Sequence, residues 1–201
     1  MGKLSITTFS TLDGVMQGPG RPGEDVEGGF AQSGWQAPYA EEESGGLILD
    51  SILAQDALLI GRKTYDIWVT YWPNMHDPVG DRFNSIPKYV ASRSLTDPEW
   101  AGTKVVRDVP SEVAALKEAH ADIRVWGSGE LLQTLLANDL VDHIDLFTYP
   151  VVLGAGKRVF REGTTPSAME LVDGPRGFSR GVVLTSYRRI GSPEYREISP
   201  D

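Results

Sequence analysis

The residue pattern predicts an α/β protein whose central sheet is mainly parallel and ends in an antiparallel C-terminal edge. Three observations carry that prediction. Short apolar runs alternate along the chain with stripes of helical spacing; glycine stands where a run passes into a stripe; and the last third holds two long strand-like runs without a helical pattern. Strands separated by helices come to lie parallel, because a parallel crossover needs a connection about as long as a helix.

The elements follow in chain order. Leu4, Ile6 and Thr8 alternate with Ser5, Thr7 and Phe9, a β-branched run that opens the chain as a strand. Residues 13–40 hold ten Gly and Pro residues, too many for a regular element, while Phe30, Trp35 and Tyr39 give this loop something to bury, so it is expected to form an ordered lid over the occupied cleft. From Glu41 the pattern turns helical, with three acids at the start and an apolar face of Ile48, Leu49, Ile52 and Leu53. Asp56 to Ile60, stopped by Gly61, suits a buried parallel strand, and Tyr65, Trp68 and Val69 continue as a helical stripe up to Pro73. Strands are predicted at Lys88–Ser92, Thr103–Val106 and Ile123–Trp126, with helices at Ser111–His120 and Ser128–Asn138. The runs Asp142–Leu153 and Arg180–Arg189 read as an antiparallel hairpin edge.

A length of 201 residues suits one domain over 1–190 with a polar tail at 191–201. Lys+Arg 19 against Asp+Glu 28 gives a formal charge of -9, a sign that repels nucleic acid and anionic membranes. The absence of cysteine removes disulfides, thiolate metal sites and cysteine nucleophiles, and fits a cytoplasmic protein. His76, His120 and His143 are scattered without ligand spacing, so no metal site is expected.

Chemistry is expected at two strand-to-helix junctions. Gly61, Arg62, Lys63 and Thr64 present backbone N–H groups, two cations and a hydroxyl, while Gly127, Ser128, Gly129, Glu130 and Leu131 allow close backbone approach, with Ser128 placed to cap the helix. Together they can cradle a pyrophosphate; singly, each also suits an ordinary turn glycine and helix cap. Glu130 counts against an anion in the same helix turn unless it is turned aside. Ser92 and Arg93 put a hydroxyl and a guanidinium at a strand's C-terminal end, where open α/β sheets bind ligands. Trp35, Tyr39 and Trp72 are the aromatic candidates for a substrate wall.

Five ordered segments carry a resemblance: Thr11-Leu12-Asp13-Gly14-Val15-Met16, Leu59-Ile60-Gly61-Arg62-Lys63-Thr64-Tyr65, Pro87-Lys88-Tyr89-Val90-Ala91-Ser92-Arg93, Trp126-Gly127-Ser128-Gly129-Glu130-Leu131 and Pro150-Val151-Val152-Leu153-Gly154-Ala155-Gly156-Lys157-Arg158. Over about residues 3 to 189 the chain resembles the stand-alone dihydrofolate-reductase-like proteins related to the C-terminal reductase domain of bifunctional riboflavin-biosynthesis deaminase/reductases. The resemblance implies a dihydrofolate-reductase-like three-layer fold and NADPH as cofactor. It places Gly61 to Thr64 at the pyrophosphate and 2′-phosphate, Ser92 and Arg93 at the 2′-phosphate end, and Gly127 to Leu131 against the pyrophosphate. Asp13 and Gly14 would border the nicotinamide, and Leu153 and Gly154 would wall the far side. The deaminase half, with its zinc-binding cysteines, is absent.

The expected activity is hydride transfer from NADPH to a C=N or C=O bond of a small planar pterin- or pyrimidine-like substrate, with Asp13 orienting or protonating it. The alternative is a non-catalytic protein holding a nucleotide or pterin in the same cleft. Relatives often pair, and the Asp142–Leu153 edge is the expected surface of a homodimer.

Overall fold

A computed structural model describes residues 1–198. Eight strands form one sheet: β1 (Lys3–Thr11), β2 (Ala57–Gly61), β3 (Lys88–Ala91), β4 (Thr103–Val106), β5 (Asp122–Trp126), β6 (His143–Tyr149), β7 (Ala168–Gly177) and β8 (Val183–Gly191). Their order is β4-β3-β2-β5-β1-β6-β8-β7. The first six run parallel, Leu59 pairing with Tyr89 and Val125, and Ile6 with Val125 and Ile144. β8 runs antiparallel to both β6 and β7.

Five helices cover the two faces: α1 (Glu42–Ala54), α2 (Arg62–Trp68), α3 (Pro78–Ser85), α4 (Val109–Ala119) and α5 (Gly129–Ala137). The layers follow from the two-residue period of β2. Ala57 and Leu59 point into the cluster built with Val113, Leu132 and Leu135 of α4 and α5, whereas Leu58 and Ile60 point into the opposite cluster with Ile52, Tyr65 and Phe83 of α1, α2 and α3. A third cluster lies at the C-terminal ends of β1 and β6, where Phe147, Tyr149 and Phe178 meet Val15, Phe30 and Trp35 of the long loop.

Lys88 is fully buried, and its ammonium donates to the carbonyls of Phe83 (2.9 Å), Asn84 (3.2 Å) and Ile86 (2.8 Å), closing the C-terminus of α3. The N-terminus of α3 is closed by Asp77, whose carboxylate accepts the Gly80 N–H at 2.8 Å.

Two expectations about the C-terminal third are corrected. The hairpin partner of β8 is β7, not the run at 142–153, and β6 lies between β1 and β8. With both sides of β6 paired, it offers no edge to a second copy; the outer strands are β4 and β7. Of the tail expected at 191–201, Ser192 to Ile198 follow β8 without regular structure, and 199–201 lie outside the described residues. Among the described residues no helix is long and apolar enough to cross a membrane.

Candidate active site

Because six strands are parallel, their C-terminal ends open along one edge. There β2 sends α2 to one face of the sheet and its neighbour β5 sends α5 to the other, which leaves a crevice between the two strands. Both glycine turns sit in it. The Gly61 N–H donates to Ser128 Oγ at 2.7 Å, and Ser128 Oγ shares a second hydrogen bond of 2.7 Å with Thr64 Oγ1. A Cβ on Gly61 would stand 3.2 Å from Ser128 Oγ, so glycine is what lets the two turns close on each other.

This geometry corrects the expected role of Ser128. The residue lies in the left-handed region at φ 65°, which turns its hydroxyl away from its own helix, and α5 has no side-chain cap. The N–H groups of Gly129, Glu130 and Leu131 therefore stand at an uncapped helix start facing the crevice. Glu130 is turned aside, 81% exposed and paired with Arg161, so it leaves this start open. An uncapped row of donors beside Thr64 fits the phosphates of a dinucleotide.

The cations are disposed less evenly. Arg62 is tied to Asp66 at 2.7 Å. Lys63 lies 3.1 Å from Glu27 and 3.7 Å from Asp25, two acids of the long loop. Arg93 is exposed, and among the described residues it makes no ion pair. Its turn is braced from below: Ser92 Oγ accepts the N–H groups of Ser94 (3.3 Å) and Leu95 (3.0 Å), and the Arg107 guanidinium donates to the carbonyls of Ser92 (2.7 Å) and Leu95.

At the other side of β1 the Asp13 carboxylate accepts from Thr11 Oγ1 (2.6 Å) and from the N–H groups of Gly154 (2.8 Å) and Leu153 (3.2 Å), while Arg158 stands 3.6 Å away. The Thr11 hydroxyl foremost, then the two N–H donors, outweigh partial burial and lower its pKa to about 2. These contacts favour its ionised form, which suits the orienting part of the role expected of Asp13. Gly14, at φ 83°, makes the turn that follows, and its carbonyl accepts the Val159 N–H at 2.9 Å. Leu153 and Gly154, expected to wall the far side of the cleft, lie directly beside Asp13, with their N–H donors committed to it. Arg158, the last residue of the fifth segment, comes beside Asp13 because the Val15–Arg158 bridge closes the two loops together, a contact no local pattern encodes.

The aromatic candidates do not converge on the crevice. Trp35 is 6% exposed, its indole N–H donates to the Gln17 carbonyl at 2.8 Å, and its ring meets the edge of Tyr149. It is core rather than substrate wall, because a ring with its one donor satisfied and its faces packed has nothing left to offer a ligand. Tyr39 packs on Tyr149 and donates to the Pro150 carbonyl at 3.4 Å. Trp72 packs against Trp68, Tyr71 and Phe83, in the layer of α2 and α3. With Phe30 and Trp35 anchored, the second half of the long loop is scaffold; only the tip around 18–29 lies outside the core. Glu41 is likewise structural, capping α1 through the Ser44 N–H at 2.7 Å.

Comparison with known proteins agrees with this architecture. Residues 2–174 match the RibD C-terminal domain. The chain is 33% identical over 142 residues to the Bacillus subtilis (strain 168) protein YyaP, a stretch covering 68% of this chain and 75% of that one. Among solved structures it resembles a protein assigned to riboflavin biosynthesis from Shewanella sp. PV-4 (TM-score 0.72, 19% identity, 94% of this chain and 99% of that one). It also resembles a pyrimidine reductase-like protein from Corynebacterium diphtheriae (TM-score 0.61, 12% identity, 94% and 92%). A third likeness is to the Thermotoga maritima diaminohydroxyphosphoribosylaminopyrimidine deaminase/5-amino-6-(5-phosphoribosylamino)uracil reductase (TM-score 0.63, 16% identity, 94% of this chain and 57% of that one). With the family model spanning all six parallel strands and both glycine turns, the chain belongs to the RibD C-terminal domain family.

Proposed function

We propose that this protein is an NADPH-dependent reductase acting on a small planar pyrimidine- or pterin-like molecule. The observation that carries the reading is the crevice between β2 and β5, where two glycine turns are joined through Ser128 beside the uncapped start of α5. When bound, the cofactor supplies the hydride that reduces a C=N or C=O bond. The chain supplies alignment. Thr64 and the N–H groups of Gly129 to Leu131 hold the pyrophosphate, Ser92 and Arg93 take the 2′-phosphate end, and the knot of Asp13, Leu153 and Gly154 fixes the wall at the nicotinamide end. Asp13 there orients a donor group of the substrate or passes it the proton that completes reduction, its carboxyl held in place by Thr11, Leu153 and Gly154.

The names of the relatives, one a pyrimidine reductase-like protein and one a uracil reductase, support the substrate class. A cytoplasmic location suits a chain without cysteine. A homodimer belongs to the same proposal, carried on the β7 edge, where Leu171 and Val172 each remain 45% exposed; light scattering tests it.

Purified protein incubated with NADPH and a panel of pyrimidines, pterins and aldehydes should consume NADPH with at least one heterocycle. Tight NADPH binding without turnover on any of them would favour a binding protein, and absence of NADPH binding would overturn the reading.

A further inference from the structure

Beside the crevice, two lysines and two acids gather at the tip of the long loop. Lys157 Nζ lies 2.9 Å from Asp25 and 2.7 Å from Glu27, and Lys63 Nζ approaches the same two carboxylates at 3.7 and 3.1 Å. The two lysines are not equivalent. On the Lys157 side the tip is fastened through the backbone: the Lys157 N–H donates to Gln17 Oε1 at 3.0 Å, and Gln17 Nε2 donates to the carbonyls of Asp25 (3.4 Å) and Glu27 (3.0 Å). The Met16 N–H donates to the Lys157 carbonyl at 2.8 Å. On the α2 side the tip is held by the Lys63 ammonium, with Arg21 lying over the Tyr71 ring at 6.0 Å. The Lys63–Glu27 pair is open to water, Lys63 54% and Glu27 58% exposed, whereas the Asp25 side chain is buried.

Lys63 follows Gly61 by two residues, on the helix that opens beside Ser128, so the loop's carboxylates sit on a cation next to the crevice. We propose that Glu27 is a built-in competitor for a nucleotide phosphate at Lys63, so that cofactor binding and release of the loop tip from α2 are one equilibrium. The inference rests on the cofactor reading above. An exposed ion pair is weak, roughly 0.2–1 kcal/mol, and a phosphate oxyanion backed by the donors of α5 replaces it readily. Release leaves no acid stranded, because Lys157 still holds both carboxylates and Gln17 still holds the backbone. The tip hinges on the β6 side and unlatches on the α2 side. Glu27 thereby sets cofactor affinity without touching the cofactor.

The test is a titration with NADPH and with NADH of the wild type, Glu27→Gln, Lys63→Met and the double variant at low ionic strength. Glu27→Gln should tighten NADPH roughly two- to five-fold, the range of an exposed ion pair, and that gain should vanish in the Lys63→Met background. A gain shared by NADH assigns the pyrophosphate, and a gain confined to NADPH assigns the 2′-phosphate. Hydrogen exchange at residues 18–29 should quicken when NADPH is added to the wild type, and should already be quick in Glu27→Gln. An unchanged or weaker affinity in Glu27→Gln, or an equal gain with Lys63 absent, overturns the competition while NADPH binding itself still stands. If no variant binds either nucleotide, the cofactor reading falls and this inference with it.

Discussion

Ser128→Ala removes a hydroxyl that joins the two glycine turns through contacts of 2.7 Å to the Gly61 N–H and to Thr64. Two net hydrogen bonds of about 1 kcal/mol each put the loss at about 2 kcal/mol. Ser128→Gly loses the same two bonds but relieves a side chain held at φ 65°, which returns about 1 kcal/mol. The net loss for glycine is then about 1 kcal/mol. In a chain of 201 residues each kcal/mol moves Tm by about 2–4 °C, so alanine should lower it by about 4–8 °C and glycine by about half of that. Thermal and urea unfolding followed by circular dichroism measure both, with an unchanged urea slope confirming that only stability moved. If glycine proves as costly as alanine, the backbone conformation is not what Ser128 strains; if alanine is silent, the bridge between the turns carries no energy.

Other expectations are narrower. Arg93→Ala should remove a charge-assisted contact of about 1.5–3 kcal/mol and weaken NADPH by one to two orders of magnitude while leaving NADH unchanged; equal weakening of both would make Arg93 structural. Asp13→Asn replaces one of the two oxygens that accept the Leu153 and Gly154 N–H groups by an NH₂, setting donor against donor at one of them, and should cost about 1–3 kcal/mol at neutral pH. The folded carboxyl titrates at about 2 against 3.8 ordinarily, so its contribution is complete above pH 4 and is lost as pH falls through 2. The gap between the wild type and Asp13→Asn, read from urea midpoints, should therefore narrow from pH 5 to pH 2.5, and a constant gap would refute the assignment. Lys88→Met keeps the bulk but leaves three carbonyls at the end of α3 without their donor, and should destabilise the fold by about 1–3 kcal/mol in the same assay.

Why some of this was legible in the residues and some was not has particular causes. The buried parallel strands announced themselves: Ala57 to Ile60 is apolar on both faces because helices cover both. β7 gave no such signal. Its residues from Glu170 to Gly177 are exposed, and Gly174 and Pro175 interrupt what alternation there is. α3 also went unread, since only Gly80 and Phe83 of its eight residues are buried, although Asp77-Pro78 is a recognisable helix start. In the site, glycine at the strand ends marked both turns. Their joining did not show, because Gly61 and Ser128 stand 67 residues apart and no local period encodes the contact. A serine before a helix reads as its cap, and only the positive φ reveals that this one serves a different turn. Trp35 misled for a related reason: an aromatic in a glycine-rich loop looks available until the strand that buries it is known.

The place of β1 in the sheet bears on how the protein comes into being. β1 pairs with β5, Lys3 against Asp122, and with β6, Ser5 against His143, so both of its ladders wait for partners synthesised more than a hundred residues later. Until then its backbone donors and acceptors are a free template, and loop-closure entropy must be overcome before either ladder rewards it. Folding should therefore be slow and governed by the second half of the chain. A nascent chain stalled short of residue 149 would carry both glycine turns yet lack the β6 end that buries Trp35 and Tyr149 together, leaving apolar surface for chaperones to shield.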